Sequence, residues 1–170
     1  MSALGQAALA VAQSELASGI HGGGAPWGRF RGPRVDDYQR AVGLALPADI
    51  SLEGHPWCAA GVFWCFRTAA ANAVAPNPCP RTPGALHMWE LSPLVARRQL
   101  AAPGDVFVLD KGKGLGHVGF VLAVSPDGQT LTTIEPDTNA AGSTTGDAWG
   151  QHLWKPSDGV RGHLVGYIEL

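Results

Sequence analysis

Residues 106–135 read VFVLDKGKGLGHVGFVLAVSPDGQTLTTIE. Three apolar runs lie in this stretch: Val106–Leu109, His117–Val124 and Thr130–Glu135. Each has strand length, and the third alternates apolar with polar residues. KGKGLG (111–116) separates the first two, and the turn signal Ser125-Pro126-Asp127-Gly128 separates the last two. Short connections of this kind join antiparallel neighbours, so the segment predicts a strand meander. A last strand is expected over Leu164–Leu170.

Upstream the period changes. Leu4, Ala7, Ala8, Val11, Ala12 and Leu16 recur at helical spacing over 3–18, with Gly19 as the stop. Val35, Tyr38, Ala41 and Val42 do the same over 34–45, with Asp36 and Asp37 in a first turn where the helix dipole favours them. A third helix is expected over 58–72, CAAGVFWCFRTAAAN. Residues 21–33 and 46–57 read as loops. Pro76, Pro78, Pro80 and Pro83 forbid regular structure until an apolar patch at Met88-Trp89. Residues 138–150 are polar and Gly-rich. Helices first and a meander second predict an α+β fold, with N-terminal helices packed on a C-terminal antiparallel sheet. The length of 170 residues suits a single domain over 1–170. With 45% hydrophobic residues the chain can bury one sizeable core, and its 23 Gly and 13 Pro imply many loops.

The 12 basic and 14 acidic residues leave a formal charge of −2. That argues against nucleic-acid binding by phosphate neutralisation and against a polybasic membrane-surface protein. No apolar stretch approaches the ~20 residues of a membrane span. The first twenty residues have no Lys or Arg before the apolar part and carry Gln6, Gln13 and Glu15, so they make a poor secretory signal. Synthesis in the cytoplasm is expected. Three Cys cannot all pair within one chain.

Cys58 is the leading candidate nucleophile. It follows Pro56-Trp57 and opens a helix, where the dipole and free N–H groups would stabilise a thiolate. Taken alone, a buried core cysteine is the commoner role for such a residue. His117 is the candidate base, at the start of a strand after a flexible loop. Glu135 closes the next strand, and antiparallel pairing brings it within one or two residues of His117's register. A carboxylate there could fix the imidazole tautomer. Asp137, two residues on, is a second candidate orienter. His163 is a rival base, though a surface role is the commoner one. His55 and Trp57, beside Cys58, are candidates for lining the cleft or stacking on substrate. Cys65 lies two helical turns from Cys58 and belongs to the core; a Cys65–Cys79 disulfide would need an oxidising compartment. Without HExxH or CxxC, neither zinc nor any other cofactor is expected.

These segments carry a resemblance. HPWCAAGVFWCF (55–66), Pro103-Gly104-Asp105, HVGFV (117–121) and Ile134-Glu135-Pro136-Asp137-Thr138 follow one another in the order of the CHAP-type cysteine peptidoglycan hydrolases, relatives of NlpC-type peptidases on a papain-like fold. The resemblance spans about residues 1–140 and implies Cys58 as nucleophile, His117 as base and Glu135 as third member. Three positions depart from the family pattern. Pro136 replaces Gly, Asp137 replaces Asn, and Gly61 stands where Phe is frequent. A charged Asp137 near His117 would favour a thiolate–imidazolium pair, whereas Gly61 either weakens its helix or makes room for packing against the sheet.

The resemblance further implies amide cleavage in peptidoglycan, as amidase or endopeptidase, by a monomer acting in the periplasm or cell wall. Delivery would be non-classical, by phage lysis or specialised secretion; a secreted toxin would bring an immunity protein as partner. The alternatives are a non-catalytic wall-binding protein on the same fold and a papain-fold hydrolase of another amide.

Overall fold

The computed structural model describes residues 2–139, 141 and 146–170. Among these, four α-helices and a six-stranded antiparallel sheet make one α+β unit. The helices are α1 (Ala3–Ala17), α2 (Pro33–Ala41), α3 (Cys58–Asn72) and α4 (Ala85–Leu91). The strands are β1 (Arg97–Arg98), β2 (Val106–Gly112), β3 (Leu115–Val124), β4 (Leu131–Thr138), β5 (Ala148–Trp154) and β6 (His163–Ile168), in the spatial order β1-β6-β2-β3-β4-β5.

The expected meander is β2-β3-β4, and the last strand inserts between β1 and β2. Part of the polar stretch 138–150, namely 140 and 142–145, lies outside the described residues. The end of that stretch, read only as polar and Gly-rich, opens β5. The helix α4 is a further difference. It starts two residues after Pro83, where the chain is free to coil, and buries Ala85 and Met88. The second helix stops at Ala41, four residues short of the expected end, because Val42 caps it and Gly43 turns left-handed at φ 89°.

Helix α3 is the spine. Ten of its fifteen residues are buried, consistent with an apolar surface nearly all round. It packs on α1, α2 and the sheet. Val106, Val108, Val118, Phe120, Ile134 and Ile168 join this helix-side core, while Phe107, Leu109, Val121, Leu131, Trp154 and Tyr167 make a smaller core on the opposite face. This is the period-two alternation of strands covered on both sides. Each large apolar side chain fully buried this way contributes about 1.5–3 kcal/mol.

A buried ion pair organises the loops that lead into α3. Arg31 grips Asp36 through Nε and Nη2, both at 2.9 Å, and donates to the carbonyls of Pro47, Asp49 and Leu52. The expectation that Asp36 serves the helix dipole thus meets a second use, as the anchor of a guanidinium that ties the 47–52 loop. Cys65 and Cys79 are both free, buried thiols.

Candidate active site

Helix α3 begins at Cys58, and what precedes it is held rigidly. Trp57 is fully buried, stacked on Tyr38 at 5.4 Å between ring centroids and edge-on to Trp149. Tyr38 donates to Glu15 at 2.6 Å and accepts from the Trp149 indole at 3.2 Å. Trp57 is therefore an anchor of the core. The expectation that it stacks on substrate is corrected, because no face of its ring reaches solvent. His55 is exposed and sits 3.3 Å from the Ala45 carbonyl through Nε2. His163 is exposed on β6.

Cys58 is 7% exposed, and its thiol meets the backbone N–H groups of Val118 and Ala59. Val118 follows His117, so the start of α3 and the start of β3 come together at these two residues. Burial, with Asp137 adding to it, pushes the thiol up to about 12 against those two N–H groups. Desolvation at the resting site therefore works against the thiolate that the helix N-terminus would favour.

His117 is fully buried, and its Nε2 lies 2.8 Å from Glu135 Oε2. Burial opposes ionisation of Glu135, but the bonds from His117 and Arg161 outweigh it and hold the carboxyl at about 2. An ionised carboxylate can only accept, so Nε2 carries the proton and Nδ1 is the basic nitrogen. Nδ1 is buried and makes no hydrogen bond. It is the ring nitrogen nearer the main chain, in the residue next to Val118, whose N–H meets the thiol.

The pairing of β3 with β4 places Phe120 opposite Ile134. One step back, Glu135 lies beside Gly119, two residues from His117, and crosses to the imidazole. A Cβ at position 119 would stand 2.9 Å from Glu135 Cγ and 2.8 Å from Phe107 Cε1. Gly119 keeps that crossing open.

Asp137 does something else. Its Oδ2 accepts the backbone N–H of Trp57 at 3.1 Å, and the Gly146 N–H also serves it. It holds the start of α3 and makes no bond to His117. The charge expected to favour an imidazolium is absent near neutrality, since burial pushes this carboxyl up to about 8. Asp137 has φ 61°, a left-handed conformation that Asp and Asn tolerate better than other side chains. Pro136 packs on the bare backbone of Gly61, where a Cβ would stand 2.7 Å from Pro136 Cβ. Two of the three departures from the family pattern therefore fit each other, and Gly61 is room for packing.

Two residues of the site escaped the sequence reading. Thr133 donates to Glu135 Oε1 at 2.5 Å. Arg161 donates to Oε1 at 2.6 Å and to Oε2 at 2.7 Å. The signal that could have found Arg161 is the need of a buried carboxylate for a cation. Among the described residues no group of His, Cys, Asp or Glu is arranged to hold a metal ion, and no helix is long and apolar enough to cross a membrane.

The sequence profile of the CHAP domain matches residues 51–137, which run from the loop before Cys58 to Asp137. The chain belongs to the CHAP domain family. Its α+β architecture, with a helix opening on Cys58 and packed against an antiparallel sheet, is the papain-like arrangement of CHAP domains. As a CHAP domain it stands among Cys- and His-dependent amidases and peptidases associated with peptidoglycan. No curated protein and no solved structure matches the chain.

Proposed function

We propose that this CHAP domain hydrolyses an amide bond of peptidoglycan, either the sugar–peptide link or a bond in the stem peptide or cross-bridge. The observation that carries the reading is the His117–Glu135 contact, which engages Nε2 and leaves Nδ1 unbonded in the residue next to Val118, whose N–H meets the Cys58 thiol.

In the proposed reaction, His117 Nδ1 takes the thiol proton as Cys58 Sγ attacks the carbonyl carbon. The backbone N–H of Cys58, at the positive end of α3, supports the oxyanion of the tetrahedral intermediate. Imidazolium then protonates the leaving amine, and a thioester remains on Cys58. Water, deprotonated by His117, attacks the thioester carbonyl; the C–S bond breaks, the acid is released, and the imidazolium returns its proton to the departing Cys58 sulfur. Glu135 balances the imidazolium at each stage and keeps Nε2 protonated. Because the resting thiol is neutral, proton transfer accompanies attack, and a preformed thiolate is not required.

Delivery to the wall by phage release or by a secretion machine belongs to the same proposal, and a secreted toxin would be met by an immunity protein that covers Cys58. The burial of the thiol favours one second reading, a wall-binding protein that performs no chemistry.

Purified sacculi incubated with the protein separate the two. The hydrolase releases soluble fragments whose masses identify the bond cut. Intact sacculi that retain the protein would support the binding reading, and intact sacculi that retain none would count against both.

A further inference from the structure

Arg161 lies beyond the segment matched by the family profile, in the loop between β5 and β6. Two glycines aim it inward. Gly159 turns left-handed at φ 64°, and Gly162, at φ 125°, comes so close to β2 that a Cβ would stand 2.8 Å from the Asp110 carbonyl. The guanidinium is nearly buried, lies 5.3 Å over the Trp154 ring, and meets both oxygens of Glu135.

We infer that Arg161 is a positioning residue for the Cys58–His117 chemistry: its fork fixes the plane and charge of the Glu135 carboxylate so that Oε2 addresses His117 Nε2. The inference rests on the proposed hydrolase reading. A carboxylate has two oxygens that a rotation exchanges, and a two-pronged donor holds both at once. Thr133 completes the lock on Oε1, and Trp154 in turn donates to Thr133 Oγ1 at 3.2 Å. Oε2 is left to be shared between Arg161 and His117. A lysine would supply charge without the fork.

The test is a cycle of Arg161→Gln, Glu135→Gln and the double variant in the full chain, with Arg161→Lys beside them. Arg161→Gln is expected to lower kcat on solubilised peptidoglycan roughly ten- to a hundredfold through misplacement of the base, with KM within about twofold. Arg161→Lys is expected to recover part of that loss. The double variant should be no slower than Glu135→Gln alone, because Arg161 acts through Glu135.

A second readout needs no substrate. The carboxyl carbon signal of Glu135, followed by NMR across acid pH, should titrate about one pH unit or more higher in Arg161→Gln than in the parent. A parent protein that leaves peptidoglycan intact defeats the hydrolase reading, while the Glu135 titration still judges the Arg161–Glu135 coupling. Wild-type kcat in Arg161→Gln, a double variant slowed by the full Arg161→Gln factor, or an unmoved Glu135 titration overturns the inference. If Arg161→Gln does not fold, Arg161→Lys takes its place in the cycle. Unchanged kcat and an unchanged Glu135 titration in that variant overturn it equally.

Discussion

His117 and Glu135 touch at 2.8 Å although they are not cross-strand partners. Glu135 starts beside Gly119 and passes over it to reach the imidazole. This diagonal makes the contact depend on a residue with no side chain. Gly119→Ala is expected to push Glu135 off His117 and lower turnover about a hundredfold, with the loss in kcat. Kinetics on solubilised wall fragments, with circular dichroism to confirm folding, check this. Unchanged kcat would mean that Glu135 reaches His117 by another path.

Cys58→Ala and His117→Ala are each expected to reduce release of wall fragments about a thousandfold or more, with the fold retained. Neither substitution removes Arg161 or Glu135, so circular dichroism should match the parent. Turnover that survives Cys58→Ala would remove the nucleophile assignment outright.

Glu135→Gln should be costly to stability as well as to turnover. Removing one charge of a buried pair leaves Arg161 unbalanced, at a cost of about 3–5 kcal/mol. Denaturant midpoints measured at neutral pH read this directly. A midpoint equal to the parent's would mean that the guanidinium finds solvent or another partner.

The two acids pull stability in opposite directions with pH. Asp137 keeps its proton in the fold up to about pH 8, whereas an exposed Asp releases it near 3.8. Between those values the native state holds the extra proton, so stability falls as pH rises through that window and levels off above it. Glu135 is held at about 2, below its ordinary 4.5, so its contribution is present above the ordinary value and lost as pH falls towards 2. Asp137→Asn keeps an acceptor for the Trp57 N–H and removes the first effect. Its melting temperature should match the parent's near pH 4 and exceed it increasingly towards pH 8. Melts across that range check the prediction, and a gap that does not grow with pH would show that Asp137 is ionised throughout.

Gly61→Ala should destabilise the chain by about 1–3 kcal/mol through overpacking against Pro136. Adding Pro136→Gly should return part of that loss, with a coupling of about 0.5–3 kcal/mol in the double-mutant cycle. Independent, additive effects in thermal melts would contradict the direct contact.

The three long helices and the central strands could be read from spacing because their apolar residues recur at a simple period, although α1 buries Gly5, Ala8, Leu9, Ala12 and Glu15 and leaves Ala7 exposed. The helix α3 was legible to the residue, since Cys58 and Asn72 bound an apolar run broken only at Arg67 and Thr68. The element β5 was not, because Gly150, Gln151 and His152 interrupt its apolar residues and its partner β4 supplies the pattern that the segment itself lacks. His117 and Glu135 could be paired from a tight turn and strand register. Arg161 joins Glu135 from 26 residues away, through a loop whose path two glycines decide, and no periodicity carries that information. For Cys58, helix position is visible in sequence, but the depth of burial that works against a thiolate depends on everything packed above.

The cation facing Glu135 comes from outside the stretch that defines the family. The same is true of Trp149 and Tyr38, which brace the residue before Cys58. A chimera built by grafting only residues 51–137 onto another scaffold would carry the sulfur, the imidazole and the carboxylate but leave behind their counterion and their buttress. For this chain, the unit that can be transplanted extends to β6 at one end and to α1 at the other.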